Sequence, residues 1–195
     1  GLIGYRQFIV HKKRLAEFEQ VKSVKALSQF TACQGAQWPD AEILRDANLP
    51  VVTSTGYEQL FKQVAAGRCD YFPRGFHEIN IEMAKRGAAY PELTIADSAI
   101  LHYPYGIYFF VKKDNKQLAD WIERGLQQLI DDGELIRHMQ THQHTSRAFP
   151  LMTSHHRHLI SIPNEEFPAG QDTSNKRYWF QPEDFASPEQ SPSPK

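Results

Sequence analysis

The stretch VVTSTGYEQLFKQVAAGRCDYFPRGFHEI, residues 51–79, decides how this chain is read. Val51 to Ser54 form a short β-branched run, which favours a strand. Thr55 and Glu58 have the spacing of a capping box ahead of a helix, and Tyr57, Leu60, Phe61 and Val64 share one face of that helix before Gly67 ends it. A second strand follows in CDYF, residues 69–72, and Pro73, Arg74 and Gly75 turn the chain into a further helix, FHEINIEMAKRG. Strand, helix, strand, sharp corner, helix is the grammar of a wound parallel sheet, which binds ligands beyond the carboxyl ends of its strands.

The same alternation extends outward in both directions. Ser23 is placed as an N-cap for VKALSQF, TACQG reads as a buried strand ending in glycine, and Pro39 opens a helix carrying Ile43, Leu44 and Ala47. After Pro91 the texture changes to ELTIADSAILHYPYGIYFFVKK, two strand-like runs separated by Pro-Tyr-Gly. Leu118, Trp121, Ile122, Leu126, Leu129 and Ile130 then recur at helical spacing and predict a core-facing helix. Asp131-Asp132-Gly133 interrupts it, and ELIRHMQTH gives a shorter helix. From Gly170 onward Pro, Ser, Gln and Glu dominate and predict disorder, with RYWF (residues 177–180) as a clip onto the body.

Composition excludes some classes and leaves others open. With 22 basic and 23 acidic side chains and a net charge of −1, nothing singles out a polyanionic partner, and a nucleic-acid role is not expected. No run is apolar enough to enter a bilayer as a spanning helix, so no direct membrane insertion is expected. The two cysteines, Cys33 and Cys69, fall on strands expected to be neighbours; they are read as buried free thiols, with a disulfide as the alternative. No nucleophile elbow, phosphate loop or thiol-enzyme spacing stands out, and the chain is read as a binding protein, not an enzyme. His77 and Glu78 beside Arg74 are the only acid–base grouping of note. His138 and His142, four apart, and His155, His156 and His158 suggest zinc, but the surrounding polar helix face favours solvated histidines, and no metal or other cofactor is expected.

Arg74 leads the candidate site residues, because a planar guanidinium between Pro and Gly at a strand end suits a carboxylate or phosphate; the competing reading is a surface arginine paired with Glu78. In CQGAQWPD, Gly35, Gln37 and Trp38 lie between a strand and a helix start, where backbone N–H groups receive anions and an aromatic ring stacks on a ligand or clamps its own core. Asp40 serves equally as a helix-start carboxylate or a contact. Tyr57, Phe72, Tyr103 and Tyr105 belong to the same rim, as do Tyr5 and Arg6 near the amino-terminal strand.

These pieces, GYRQFIV, QGAQWPDAEIL, VVTSTGYEQLFKQVAAGRCDYFPRG and LHYPYGIYFFVKKDNKQLADWIERGLQQLIDDGEL, resemble bacterial extracellular solute-binding proteins of the amino-acid-binding type, the receptors of ABC importers. The AAGRCDYF strand and the YFFVKKDNKQLADWIERGL segment carry the likeness most clearly. The resemblance implies a periplasmic-binding-protein-like α/β fold of two lobes joined by hinge strands, with the first lobe incomplete. It assigns residues 1–11 to an outgoing hinge and first-lobe remnant, 12–97 to an inserted second lobe, 98–169 to the return hinge and the rest of the first lobe, and 170–195 to the tail. It further implies a periplasmic location, a small polar solute, anionic or amino-acid-like, bound between the lobes, and a membrane permease as partner. A sensory module of the same fold is the alternative. The resemblance departs where such proteins place an aspartate for the ligand ammonium, since this chain has Pro73, Arg74 and Gly75.

Overall fold

A computed structural model describes residues 1–151 and 158–185. Six strands, β1 (Tyr5–His11), β2 (Ala32–Gly35), β3 (Val51–Ser54), β4 (Tyr71–Gly75), β5 (Leu93–His102) and β6 (His158–Ser161), form one sheet in the order β3-β2-β4-β1-β5-β6. The helices are α1 (Leu15–Phe18), α2 (Val24–Leu27), α3 (Asp40–Asp46), α4 (Tyr57–Ala65), α5 (Ile79–Arg86), α6 (Lys116–Asp131) and α7 (Glu134–Thr141). Strand β2 is parallel to β3 and β4, β5 is parallel to β6, and β1 is antiparallel to both β4 and β5. One edge of the sheet therefore collects the carboxyl ends of five strands and the start of β1.

Alternation along the strands distributes their side chains between two cores. Phe8, Val10, Ala32 and Tyr71 join Leu27, Ile43 and Leu44 on one face. Their sequence neighbours Ile9, Cys33 and Phe72 join Leu60, Phe61, Val64 and Ile79 on the other. Both faces of β1 are covered, and Tyr5 to Val10 are all buried, Arg6 and Gln7 with the carboxylates of Asp40 and Asp97 as partners. Each fully buried Phe or Leu contributes about 1.5–3 kcal/mol of transfer free energy.

Ser23 caps α2 through its side chain, and Gly67, at φ 67°, lets the chain leave α4. The Thr55–Glu58 capping box does not form: Gly56 is the N-cap without a side-chain bond, and Glu58 accepts from Arg86 Nε at 2.8 Å instead. Pro73, Arg74 and Gly75 are not a corner but the end of β4, with the turn following at Phe76. The ladder explains the tolerance. Phe76 N donates to Tyr5 O across β1, so by alternation the N–H that Pro73 lacks would face β2, where pairing is confined to Ala32 and Tyr71.

Cys33 and Cys69 are joined in a disulfide with Cα atoms 5.7 Å apart, which corrects the reading of free thiols. Cys69 is not on β4; it lies in the bend before it, folded back over β2. A second correction concerns residues 107–111, which form no strand, and α6, which has no buried residue despite its apolar stripe. Gly133, at φ 71°, separates α6 from α7 as expected. The tail is a third correction. Residues 170–185 follow a defined course, with Phe185 stacked on Tyr5 at 4.0 Å and edge-on to Phe76 at 5.3 Å, while Tyr5 Oη donates to Phe180 O at 2.9 Å. The RYWF clip is part of this course: Arg177 pairs with Asp131, and Tyr178 Oη donates to Gln127 Oε1 at 2.7 Å. Residues 186–195 lie outside the described residues. No helix among the described residues is long and apolar enough to cross a membrane.

Candidate functional site

The collected strand ends hold a cluster centred on Arg74. Strand β4 carries its guanidinium to the edge, and α5 brings Glu82 against it: Nε approaches Oε2 at 2.8 Å and Oε1 at 3.1 Å, and Nη2 approaches Oε1 at 2.7 Å. Glu78, one turn earlier on the same face, lies 3.0 Å from Nη2. The Tyr57 hydroxyl also donates to Glu82. The guanidinium is flanked by the rings of Trp38, Phe72 and Tyr57, with centroids at 5.0, 5.1 and 5.7 Å. Gly35 makes the arrangement possible, since a Cβ there would stand 2.4 Å from the Trp38 ring.

A second cluster lies alongside. Arg6 Nη2 pairs with Asp40 at 2.8 Å, the Tyr103 hydroxyl donates to the same carboxylate, and the Tyr103 and Tyr105 rings stand 5.3 and 5.6 Å from the Arg6 guanidinium carbon. Both arginines are buried with a carboxylate in contact, the arrangement that makes burial of a charge tolerable. Burial alone would raise the Glu82 carboxyl, but the Arg74 hydrogen bonds and charge outweigh it and hold Glu82 below its ordinary range. Burial raises the Tyr103 hydroxyl well above its usual value. It lowers His77, against the pull of Glu78 and with the help of Arg6 and Arg74.

Arg6 Nε, Gln34 Nε2 and His77 Nδ1 are buried donors or acceptors without a hydrogen-bond partner among the described residues. Beside His77 opens a cleft of about 410 Å³ lined by Tyr57, His77, Glu78, Glu82, Lys85, Arg86 and His144, so that α5 faces the segment following α7 across it. Glu82 is occupied by Arg74 and Tyr57. Glu78, a third exposed, is the carboxylate best placed to receive a donor from the cleft. A larger cleft of about 710 Å³ lies under the tail, lined by Leu135, Met139, Phe149 and Trp179. Its charged side chains are engaged, Lys176 with Glu183 at 2.7 Å, Arg177 with Asp131 and Asp184 with the Gln181 N–H, so it offers little convergent polar chemistry, and the smaller cleft is the better candidate.

Of the residues singled out from the sequence, Arg74, Gly35, Trp38, Tyr57, Phe72 and Glu78 come together, and Arg6 and Tyr103 form the adjoining cluster. Gln37 is exposed on its loop. Tyr5 is buried against His102 and Phe185 instead of facing the cleft. Of the two readings of Arg74, the pairing with Glu78 forms, but the arginine is buried and not a surface group, and its Nε and Nη2 are engaged by Glu82. Glu82 and Gln34 were missed. The signal for Glu82 was its place four residues after Glu78 on a helix packed beside Arg74. His138 and His142 stack at 5.0 Å, and among the described residues no group of three His, Cys, Asp or Glu side chains is placed to hold a metal ion. His155 and His156 lie outside the described residues, and His158 begins β6.

No protein-family model matches the sequence, and no curated protein sequence matches it. Solved structures do. A periplasmic His/Glu/Gln/Arg/opine family-binding protein from Silicibacter pomeroyi, in complex with lysine, is 11% identical with a TM-score of 0.50, over 70% of this chain and 56% of that one. An amino acid ABC transporter substrate-binding protein from Streptococcus pneumoniae, bound to L-arginine, is 24% identical with a TM-score of 0.46, over 68% and 54%. A Bacillus subtilis protein is 25% identical with a TM-score of 0.46, over 75% and 58%. The likeness to the Silicibacter protein shows the fold: this chain is an α/β protein of the periplasmic-binding-protein type. It spans a little over half the length of each of these structures.

Proposed function

We propose that this chain is the greater part of a small-solute receptor, the periplasmic substrate-binding component of an ABC importer. The observation that carries the reading is the cleft at the carboxyl edge of the sheet, lined by Tyr57, Glu78 and Glu82, with Arg74 bonded to both carboxylates. In this reading residues 12–97 are an inserted lobe, 1–11 and 98–105 the hinges, and the remainder to 169 part of the other lobe. Ligand held from both sides only in the closed arrangement would shift the population toward closure, with no reaction involved.

The charge balance narrows the solute. Arg74 is answered by Glu82 and Arg6 by Asp40, so neither invites an additional anion, whereas Glu78 retains acceptor capacity toward the cleft. An amino acid, its ammonium directed at Glu78, fits better than a simple anion. A buried disulfide supports an oxidising compartment and hence the periplasm, because such bridges persist there and are rare in the cytosol. A permease would be the partner.

The test is thermal unfolding against a panel of free amino acids. A ligand at a hundredfold excess over its dissociation constant stabilises by about 2.7 kcal/mol. One or more amino acids raising the melting temperature in the parent and not in Glu78→Gln is the expected result. A flat response across the panel would sink the reading. Arg74→Ala is the wrong variant here, because it strands Glu82 without its partner and destabilises the fold by itself.

A further inference from the structure

The cleft beside His77 carries opposite charge at its two ends. At one end Arg74 is bonded to both Glu82 and Glu78, so one cation meets two carboxylates and an excess of one negative charge remains. Glu78 is its exposed share: Oε2 lies 3.0 Å from Arg74 Nη2, while Oε1 lies 3.9 Å from His77 Nε2, beyond hydrogen-bond reach. At the other end Arg86 is answered by Glu58, whereas Lys85 is exposed and has no ion pair among the described residues, which leaves an excess of one positive charge. Glu78 and Lys85 do not pair with each other. They stand seven residues apart, at the N-cap and in the last turn of α5, so almost two full turns bring both to one face about 10.5 Å apart along the axis. Ile81 lines the same wall between them, and Glu82 is engaged by Arg74 and Tyr57.

We propose that the solute carries, besides the ammonium held by Glu78, a carboxylate about three carbons away that is held by Lys85: an amino acid of the glutamate or 4-aminobutyrate kind. The inference rests on the receptor reading above and narrows its ligand. Two charge-assisted bonds of about 2.8 Å, one at each pole, leave about 5 Å of that span for the solute itself. An ammonium and a carboxylate joined through three carbons are about 5 Å apart when extended. In an α-amino acid with a neutral side chain the two groups are only about 2.5 Å apart, too short to bridge the poles. The intervening carbons would lie over Ile81, an apolar stretch of wall that asks for no hydrogen bond. Glutamine has the length but not the charge, and would leave the Lys85 ammonium facing a neutral acceptor, a weaker bond than one to a carboxylate.

The test is isothermal titration calorimetry of the full 195-residue chain with L-glutamate, 4-aminobutyrate and L-glutamine. It is run at about pH 8, where a histidine of ordinary pKa, about 6.5, is uncharged and His77 and His144 do not blur the comparison. The parent should bind L-glutamate or 4-aminobutyrate about tenfold or more tightly than L-glutamine, and the stronger of the two shows whether an α-carboxylate is held as well. Lys85→Gln should abolish that preference and keep the affinity for L-glutamine. Because Lys85 is exposed, the variant without ligand should unfold at the parent's temperature. A parent that binds L-glutamine as tightly, or Lys85→Gln retaining the preference, overturns the inference and leaves the receptor reading standing, since an amino acid still binds. Failure of all three solutes while other amino acids stabilise the parent in thermal unfolding also overturns the inference alone. A flat response to every amino acid overturns both.

Discussion

Helices α4 and α6 are both amphipathic, yet they end in opposite situations. The apolar face of α4 is closed: Leu60, Phe61 and Val64 are fully buried against β1, β2 and β4. The longer stripe of α6 has no buried residue and joins no core among the described residues. The same contrast separates the sheet, with a core on each face, from the region after Tyr103. Periodicity is enough to make a helix and to say which side is apolar; what that side touches depends on whether a complementary surface is within reach.

The contrast can be broken most forcefully in the core. Phe61→Ala should cost about 3–5 kcal/mol in urea unfolding, whereas Trp121→Ala in dilute solution should cost at most about 0.5 kcal/mol. Comparable losses at the two positions would mean that α6 is packed after all. The ion pairs divide the same way. Removing Arg74 leaves Glu82 buried and uncompensated, which costs about 3–5 kcal/mol. The double variant Arg74→Ala with Glu82→Ala should regain part of that stability. Arg137→Ala, at the exposed pair with Glu134, should not move the melting temperature.

Replacing both cysteines by alanine opens a loop spanning 36 residues and should cost about 2–4 kcal/mol. Circular dichroism should show the loss of cooperativity beginning in the sheet. Undiminished stability after full reduction would show that the bridge adds nothing to the packing around it.

The smallest effect concerns pH. His102 is pushed down to about 4, mainly by burial and then by the nearby amino terminus, from an ordinary value of 6.5. Its neutral form is the one that fits the fold, so this contribution is whole above pH 6.5 and is lost as pH falls through about 4. His77, also lowered by burial, acts in the same direction. Melting temperature should therefore fall across that window in the parent and fall less in His102→Gln. Equal slopes would place the acid sensitivity elsewhere.

Much of the sheet was legible because its signals are local. Val51 to Ser54, the stripe on α4, Gly67 and the Ser23 cap each depend on neighbours within a turn or two. The readings that failed depended on distant residues. Glu58 left its capping position for Arg86, Pro73 was accommodated by a missing ladder bond to β2, and Cys69 met Cys33 only after the chain bent before β4. At the site, Arg74 was legible as a strand-end cation, but its bidentate partner was not, because the helical phase of Glu82 against β4 is set by how α5 packs. The tail's composition argued for disorder and overlooked that Phe185 alone could anchor a segment between Tyr5 and Phe76.

The sequence by itself determined an α/β order of elements, the apolar faces of the main helices and a strand end bearing Arg74, since hydrophobic period, turn residues and caps act over a few positions. Tertiary structure alone decided that Arg74 is already neutralised, that the cysteines are joined and that α6 buries no residue against the described part of the chain. Each of those outcomes requires two segments far apart in the chain to meet, or fail to meet, in space, and no local pattern encodes that encounter.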